Sequence, residues 1–350
     1  MKIAQIAPLY EAVPPRLYGG TERIVAYLTD RLVERGHDVT LFASVDTRTS
    51  AKLVPVRERA IRLDPSLLKA DHAAHLSMLD EVRRRADEFD ILHFHVDLVH
   101  FPFFEAIAER TVTTLHGRLD MSDLDGAYAR WPDYPLVSIS DAQRQHLPDA
   151  NWVRTIPHGV PSDLFRPSAR PGNYLAFLGR ISPEKRPDRA IAIAARAGMP
   201  LKIAAKVDRV DQGYWDDVIA PLVKANANIE FVGEIGDADK SEFLRDAAAL
   251  LFPIDWPEPF GLVMIEAMAC GTPVIAWRNG SVPEVIENGV TGFVVSSEDE
   301  AVAAVRQIHR LDRGNIRRRF ERRFTTDIMA AAYEGLFGSL HRSKIMTEAA

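Results

Sequence analysis

Short apolar runs alternate along the chain with longer stretches in which apolar residues recur at helical spacing. "KIAQIAP" reads as a buried strand near the N-terminus. In "TERIVAYLTDRLVERG", Ile24, Tyr27, Leu28, Leu32 and Val33 mark a helix face and Gly36 marks its stop. "DVTLFA", "FDILHFH", "RTVTTLH" and "YPLVSIS" continue the strand series, while residues 46–88 read as helical and charged. After "WVRTIPHGV", a proline-rich passage from Pro157 to Pro171 reads as a linker. The pattern then restarts with "NYLAFLG", a helix from Pro187, "LKIAA", a helix over 214–224, "NIEFVG" and a helix over 238–248. It closes with "ALLFP", the helix "GLVMIEAMACG", "PVIAW" and "GFVV". Strands alternating with helices predict parallel sheets covered on both faces. Two such series around one linker predict an α/β chain of two doubly wound, Rossmann-like domains with a cleft between them.

Composition narrows this picture. At 350 residues the chain is long enough for two separate cores, and its 47% hydrophobic and 26% charged fractions are ordinary for a globular protein. A net charge of −6 carries no nucleic-acid signature. One cysteine, Cys270, rules out an internal disulfide and suits a reducing cytosol. The stretch "MKIAQIAPLYEAVPP" is too short and too broken by proline for a signal peptide, and no apolar run reaches the ~18 residues of a membrane helix. A soluble cytoplasmic protein is expected, with peripheral membrane contact left open.

Ligands of open parallel sheets bind at the carboxyl ends of the strands. "YGGTER", "LHG", "LGRISPEKRPD" and "PIDWPEPFG" each follow a predicted strand. One such segment could be an ordinary turn; four in corresponding places point to a site. Neither G-x-G-x-x-G after the first strand nor G-x-x-x-x-G-K-[ST] anywhere is present, which disfavours a dinucleotide dehydrogenase or a P-loop NTPase. Gly19 and Gly20 precede a helix for which Thr21 is a candidate N-cap, and amides there attract anions; a plain glycine turn reads equally well. Arg180 and Lys185 place two cations on one loop, suited to a diphosphate or simply to solvent.

"WPEPFGLVMIEAMACG" carries the most specific signal. Pro257 and Pro259 keep Glu258 out of helical conformation, and Gly261 opens the helix that Gly271 ends. The amides of Phe260, Gly261 and Leu262 are then donors without intrahelical partners. Glu266 lies just over a turn into the helix. Carboxylates cannot hold a phosphate but accept from hydroxyls, so the pair suits a molecule with hydroxyls on both sides of its phosphates, a nucleotide sugar. The alternative is a charge placed near a helix dipole.

These segments resemble the retaining glycosyltransferases of family 4, which have the two-domain GT-B fold. Glu258 and Glu266 match that family's E-x7-E motif within "PEPFGLVMIEAMACGTPVIA", and "FLGRISPEKRPD" matches its diphosphate loop. "YGGTE", "FDILHFH", "TLHG", "VSISDAQR" and "IPHGV" match N-terminal segments in order, so the resemblance covers nearly the whole chain. It implies an acceptor-side domain at 1–165, a nucleotide-sugar-binding domain at 170–324, and a helix at 325–350 crossing back to the first domain. It implies that Arg180 and Lys185 bind the donor diphosphate, Glu266 the ribose, and Glu258 with the amides at 260–262 the transferred sugar. Gly19 and Gly20 would lie beside the diphosphate, His116 near the reacting centre and Ile235 along the base. The expected activity is retaining, metal-independent hexosyl transfer from a nucleotide-diphosphate sugar, UDP rather than GDP. The acceptor is a saccharide, lipid-linked or small-molecule hydroxyl, with no cofactor and no nucleic acid. Two departures bear on this. "IAAKVDRVDQGYW" replaces a glycine-containing turn and brings Lys206 toward the nucleotide, and "HGVPSD" at His158 alters contacts near the hinge.

A nucleotide-sugar-binding protein without transfer activity and a nucleotide-sugar epimerase on the same fold are the alternatives. "HFHVDLVH" offers His93, His95, Asp97 and His100 but no cysteine or glutamate ligand, so His95 is read as lining the cleft with the others packed. Cys270 reads as a buried structural thiol, and "RRRFERRF" as a solvated helix face ahead of a membrane contact. "NGS" at 279–281 is a glycosylation sequon by pattern only.

Overall fold

A computed structural model describes residues 1–17, 19–66, 68–170 and 172–348, with the backbone alone at 238 and 343–348. Tyr18 of "YGGTER", Pro171 at the end of the proline-rich passage and the last two residues of the 325–350 segment lie outside the described residues. The chain divides into two compact units, Met1–Gly159 with Thr326–Ala350, and Val160–Thr325.

The first unit is built on a seven-stranded parallel sheet. Its strands are β1 (Lys2–Ile6), β2 (Asp38–Ser44), β3 (Lys52–Arg57), β4 (Ile91–Phe94), β5 (Thr111–Thr114), β6 (Leu136–Ser138) and β7 (Trp152–Thr155), in the spatial order β3-β2-β1-β4-β5-β6-β7. The chain winds outward from β1 to β3, returns to β4 and winds the other way. The central strands are buried on both faces, as helix-covered parallel strands must be. Residues 46–88 are not wholly helical: β3 precedes the helix Asp71–Arg84. β3 is a half-exposed edge strand, where Pro55 and charged ends are tolerated and leave only the short, proline-broken run at 53–56 to read. Gly36 does end the Gly20–Glu34 helix, in the left-handed region. Thr21 is not its cap: Gly19 occupies that position, with no side-chain capping bond.

The Thr326–Glu348 helix belongs to this unit. Arg31 pairs with Asp327, and His37 Nε2 lies 3.0 Å from Glu334 Oε1. Tyr333 and Phe337 pack on the His93 ring, and the Tyr333 hydroxyl lies 2.8 Å from Thr114 Oγ1.

The second unit repeats the design with β8 (Tyr174–Arg180), β9 (Leu201–Lys206), β10 (Ile229–Gly233), β11 (Ala247–Phe252), β12 (Val274–Trp277) and β13 (Gly292–Val295). Its order, β10-β9-β8-β11-β12-β13, reverses winding between β8 and β11. Loops leaving those two strands run in opposite directions and open a crevice at their carboxyl ends. The helix expected over 238–248 stops at Arg245, because Ala247–Phe252 is the fully buried central strand β11. Alanine favours helix locally, and burial between two helical layers overrides it. The arginine-rich helix Arg313–Arg323 is only partly a solvated face. Arg313 donates to the carbonyls of Ser168, Ala247 and Arg245, and Arg317 to those of Ser162, Phe165 and Ala269. Arg318 and Arg319 lie outward and pair with Asp312 and Glu287.

Candidate active site

Lys185 and Glu258 meet at the β8–β11 switch point. The loop after β8 is anchored by fully buried Ile181 and Ser182, and a turn from Ser182 O to the Lys185 amide presents the lysine. Lys185 Nζ donates to Glu258 Oε2 at 2.5 Å and sits 4.5 Å from the centroid of the Trp256 ring. The aromatic face attracts the cation and keeps the lysine extended over the crevice.

Glu258 is buried, and its own backbone is held from behind. The Ser281 amide donates to the Glu258 carbonyl at 2.9 Å, and Ser281 Oγ donates to the Phe260 carbonyl at 2.9 Å. Gly280 approaches so closely, at φ +54°, that a Cβ there would lie 2.2 Å from the Glu258 oxygen. Asn279 Nδ2 donates to the Ile254 carbonyl. The "NGS" pattern is therefore a strut under the Glu258 loop, with Ser281 fully buried.

Gly261, at φ +80°, caps the helix Leu262–Ala269. The positive φ favours glycine, and a Cβ there would also push on the flexible end of Met264, 2.7 Å from its Cε. Phe260 is buried against Phe324. The helix start thus presents its first amides beside Glu258. One turn on, Glu266 is 2% exposed. Its Oε1 accepts from Lys240 Nζ at 3.3 Å, and its Oε2 has no hydrogen-bond partner. A buried carboxylate oxygen left open in this way calls for a donor such as a hydroxyl. Lys240 comes from the helix Asp237–Arg245, which follows the loop carrying half-buried Ile235. Nothing in the local sequence marks Lys240; only the fold brings it to Glu266.

Arg180 ends β8 but turns toward acids. Its Nη2 donates to Glu184 Oε1 at 2.7 Å, and Asp211 and Asp208 lie at 3.4 and 3.9 Å. Lys206, its register partner on β9, pairs with Asp208 at 2.8 Å. The two cations are thus compensated within the unit, and a diphosphate must compete with carboxylates for them.

In the first unit, Gly19 and Gly20 open the Gly20–Glu34 helix, and His116 follows β5. His116 Nε2 lies 2.9 Å from His95 Nδ1, and its Nδ1 lies 3.4 Å from His158 Nε2. His95 is buried behind His116 and does not line an open surface, which corrects its expected place. Burial pushes His116 down to about 3 and holds His95 and His158 well below 6.5, so all three are neutral. His93 and His100 are packed as expected. Cys270 is buried and its thiol is pushed up to about 12 by desolvation. Among the described residues no group of three His, Cys, Asp or Glu side chains could hold a metal ion, and no helix is long and apolar enough to cross a membrane.

Two family profiles match consecutively: Glycosyltransferase Family 4 over residues 18–164 and Glycosyl transferases group 1 over residues 165–324. The D-inositol 3-phosphate glycosyltransferase of Mycobacterium tuberculosis is 28% identical over 243 residues, covering 61% of this chain and 50% of that protein. The chain thus spans about half the length of the curated relatives it matches. Among solved structures, AviGT4, a glycosyltransferase involved in avilamycin A biosynthesis, superposes with a TM-score of 0.74 at 24% identity, over 97% of this chain and 98% of its own. Sucrose-phosphate synthase from Thermosynechococcus elongatus gives 0.79 at 19%, over 98% and 99%. Anabaena HepE, in complex with UDP and glucose, gives 0.76 at 19%, over 97% and 100%. These likenesses establish the fold.

Proposed function

This chain belongs to the glycosyltransferases of family 4, with the two-domain GT-B fold, and we infer that it moves a hexosyl group from a UDP-sugar to a hydroxyl acceptor with retention of configuration. The observation that carries the reading is the row formed by Lys185, Glu258, the amides at 260–262 and Glu266, with one Glu266 oxygen left open. A diphosphate takes Lys185 and the helix amides. Sugar hydroxyls take Glu258, and ribose hydroxyls take the open oxygen of Glu266. HepE, solved with UDP and glucose, supports UDP as the nucleotide. The inositol-phosphate glycosyltransferase supports a polyhydroxylated acceptor. A cytoplasmic setting goes with a nucleotide-sugar donor.

In the transfer, the acceptor oxygen bonds to the anomeric carbon as the bond to the phosphate oxygen breaks. The electron pair goes to the diphosphate, and the acceptor proton passes to the departing phosphate oxygen. Lys185 and the helix amides stabilise the charge that develops there, in place of a metal ion. Arg180 joins them once it exchanges Glu184 and Asp211 for phosphate. His116, Gly19 and Gly20 are assigned to the sugar and diphosphate from the first unit.

The test is release of nucleoside diphosphate from a panel of UDP-, GDP- and ADP-hexoses in EDTA, with and without hydroxyl acceptors. Acceptor-dependent release from a UDP-hexose is expected. Interconversion of the donor sugar without release would make the protein an epimerase. Binding with neither outcome would make it a nucleotide-sugar-binding protein.

A further inference from the structure

His116 belongs to a line of polar side chains that begins in the middle of the first sheet. Gln5 is a fully buried polar residue on the central strand β1, between Ala4 and Ile6. Its Oε1 lies 2.8 Å from His95 Nε2. His95 sits just beyond β4, the strand paired with β1, and His116 just beyond β5, the strand paired with β4. The register pairs Gln5 with His93 and His93 with Val112, so Gln5, His95 and His116 each step two residues forward from one strand to the next, and side-chain contacts join them in a line with His158 at its far end.

Each contact fixes the next. Gln5 turns its carbonyl oxygen to His95 and leaves its own Nε2 buried without a hydrogen-bond partner; a carbonyl oxygen only accepts, so in this orientation His95 Nε2 carries the proton. A neutral imidazole carries one proton, so His95 Nδ1 is a bare acceptor. His116 Nε2, 2.9 Å away, must then donate, which leaves His116 Nδ1 bare. His158 Nε2, at 3.4 Å, donates to it weakly. The logic holds only while the rings stay neutral, and burial keeps them so. His93 walls the line, its ring 4.1 Å from that of His95 and its Nε2 2.7 Å from Thr114 Oγ1.

We propose that Gln5 and His95 are positioning residues that lock His116 in the Nε2–H tautomer, leaving its Nδ1 as a hydrogen-bond acceptor for a donor-sugar hydroxyl. The contact from His158 is long enough to yield to a hydroxyl, whereas the His95 contact is short and buried. The part of this proposal that concerns the sugar rests on the role proposed for His116 above; the tautomer does not.

The experiment is long-range proton–nitrogen correlation NMR of the imidazole nitrogens in the full chain, with His116→Asn for assignment. The native protein is expected to show His116 protonated on Nε2 alone. Gln5→Leu should populate both tautomers and lower kcat about tenfold, the worth of one hydrogen bond, with nucleoside diphosphate affinity unchanged. Native His116 carrying its proton on Nδ1, or sharing it between both nitrogens, would overturn the proposal even if Gln5→Leu failed to fold. A locked tautomer with kcat indifferent to Gln5→Leu would overturn the sugar contact and leave glycosyl transfer standing.

Discussion

Lys185 and Glu258 are one electrostatic unit, and their variants should behave as such. The 2.5 Å contact and the Trp256 face hold the lysine before any ligand arrives. Lys185→Ala should lower kcat by ~10²–10³, the loss of one charge-stabilising donor. Glu258→Gln should lower kcat while leaving nucleoside diphosphate affinity intact or higher, since it releases Lys185 to the phosphates. The double variant should fall short of the sum by ~0.5–3 kcal/mol, the range for contacting residues. Strict additivity in that cycle would mean the pair does not act together. Glu266→Gln should instead raise KM for the donor, because ribose is unchanged in the reaction. Glu258, Glu266 and Lys185 were legible because prolines, glycines and charge spacing mark them locally. Lys240, Trp256 as a lysine platform, and Ser281 were not, because their partners lie 26, 71 and 23 residues away in a pattern that only folding creates. The mark of Gln5 in the sequence is a lone amide in an apolar strand.

At the scale of elements, the Glu258 loop depends on a segment that looks like a surface sequon. Gly280→Ala would place a Cβ 2.2 Å from the Glu258 oxygen at a positive φ. The loop must move, and displacement of about an ångström near the chemistry costs on the order of 10²-fold in rate. We expect a fall in kcat of that size with a lowered melting temperature; kcat within twofold of native would show the strut to be dispensable. Central strands were legible as apolar runs, the Gly20–Glu34 helix by its spacing and glycine stop, and the Pro187–Ala197 helix by its opening proline. β3 was not, because none of its residues is fully buried and an edge strand tolerates proline. The end of the helix at Arg245 has the opposite cause, since alanines belong to either element until a sheet claims them.

At the scale of the whole molecule, two Rossmann-type sheets were evident from the repeated alternation around one linker. Return of the last helix to the first unit rests on long-range pairs such as Arg31–Asp327, which no local pattern announces. The buried histidines of that unit give the molecule a pH dependence. Burial holds His93, His95, His100 and His158 well below 6.5 in the folded chain, while the unfolded chain titrates near 6.5. Below that pH the unfolded state binds more protons, so stability falls as pH falls. Each such proton is worth about 1.4 kcal/mol per pH unit. Urea midpoints should therefore drop from pH 6.5 to 4.5 with a slope of several protons, and a flat profile would show that the rings titrate normally in the native state.

The stereochemistry of the product tests the central claim most directly. A UDP-hexose with its α-linked phosphate should yield, in EDTA, an α-glycoside of the acceptor, read from the anomeric proton coupling by NMR, with one UDP released per bond formed. A β-glycoside, or a strict requirement for an added divalent ion, would contradict the account of a donor held by Lys185, Glu258 and the helix amides and attacked on the face its leaving group departs.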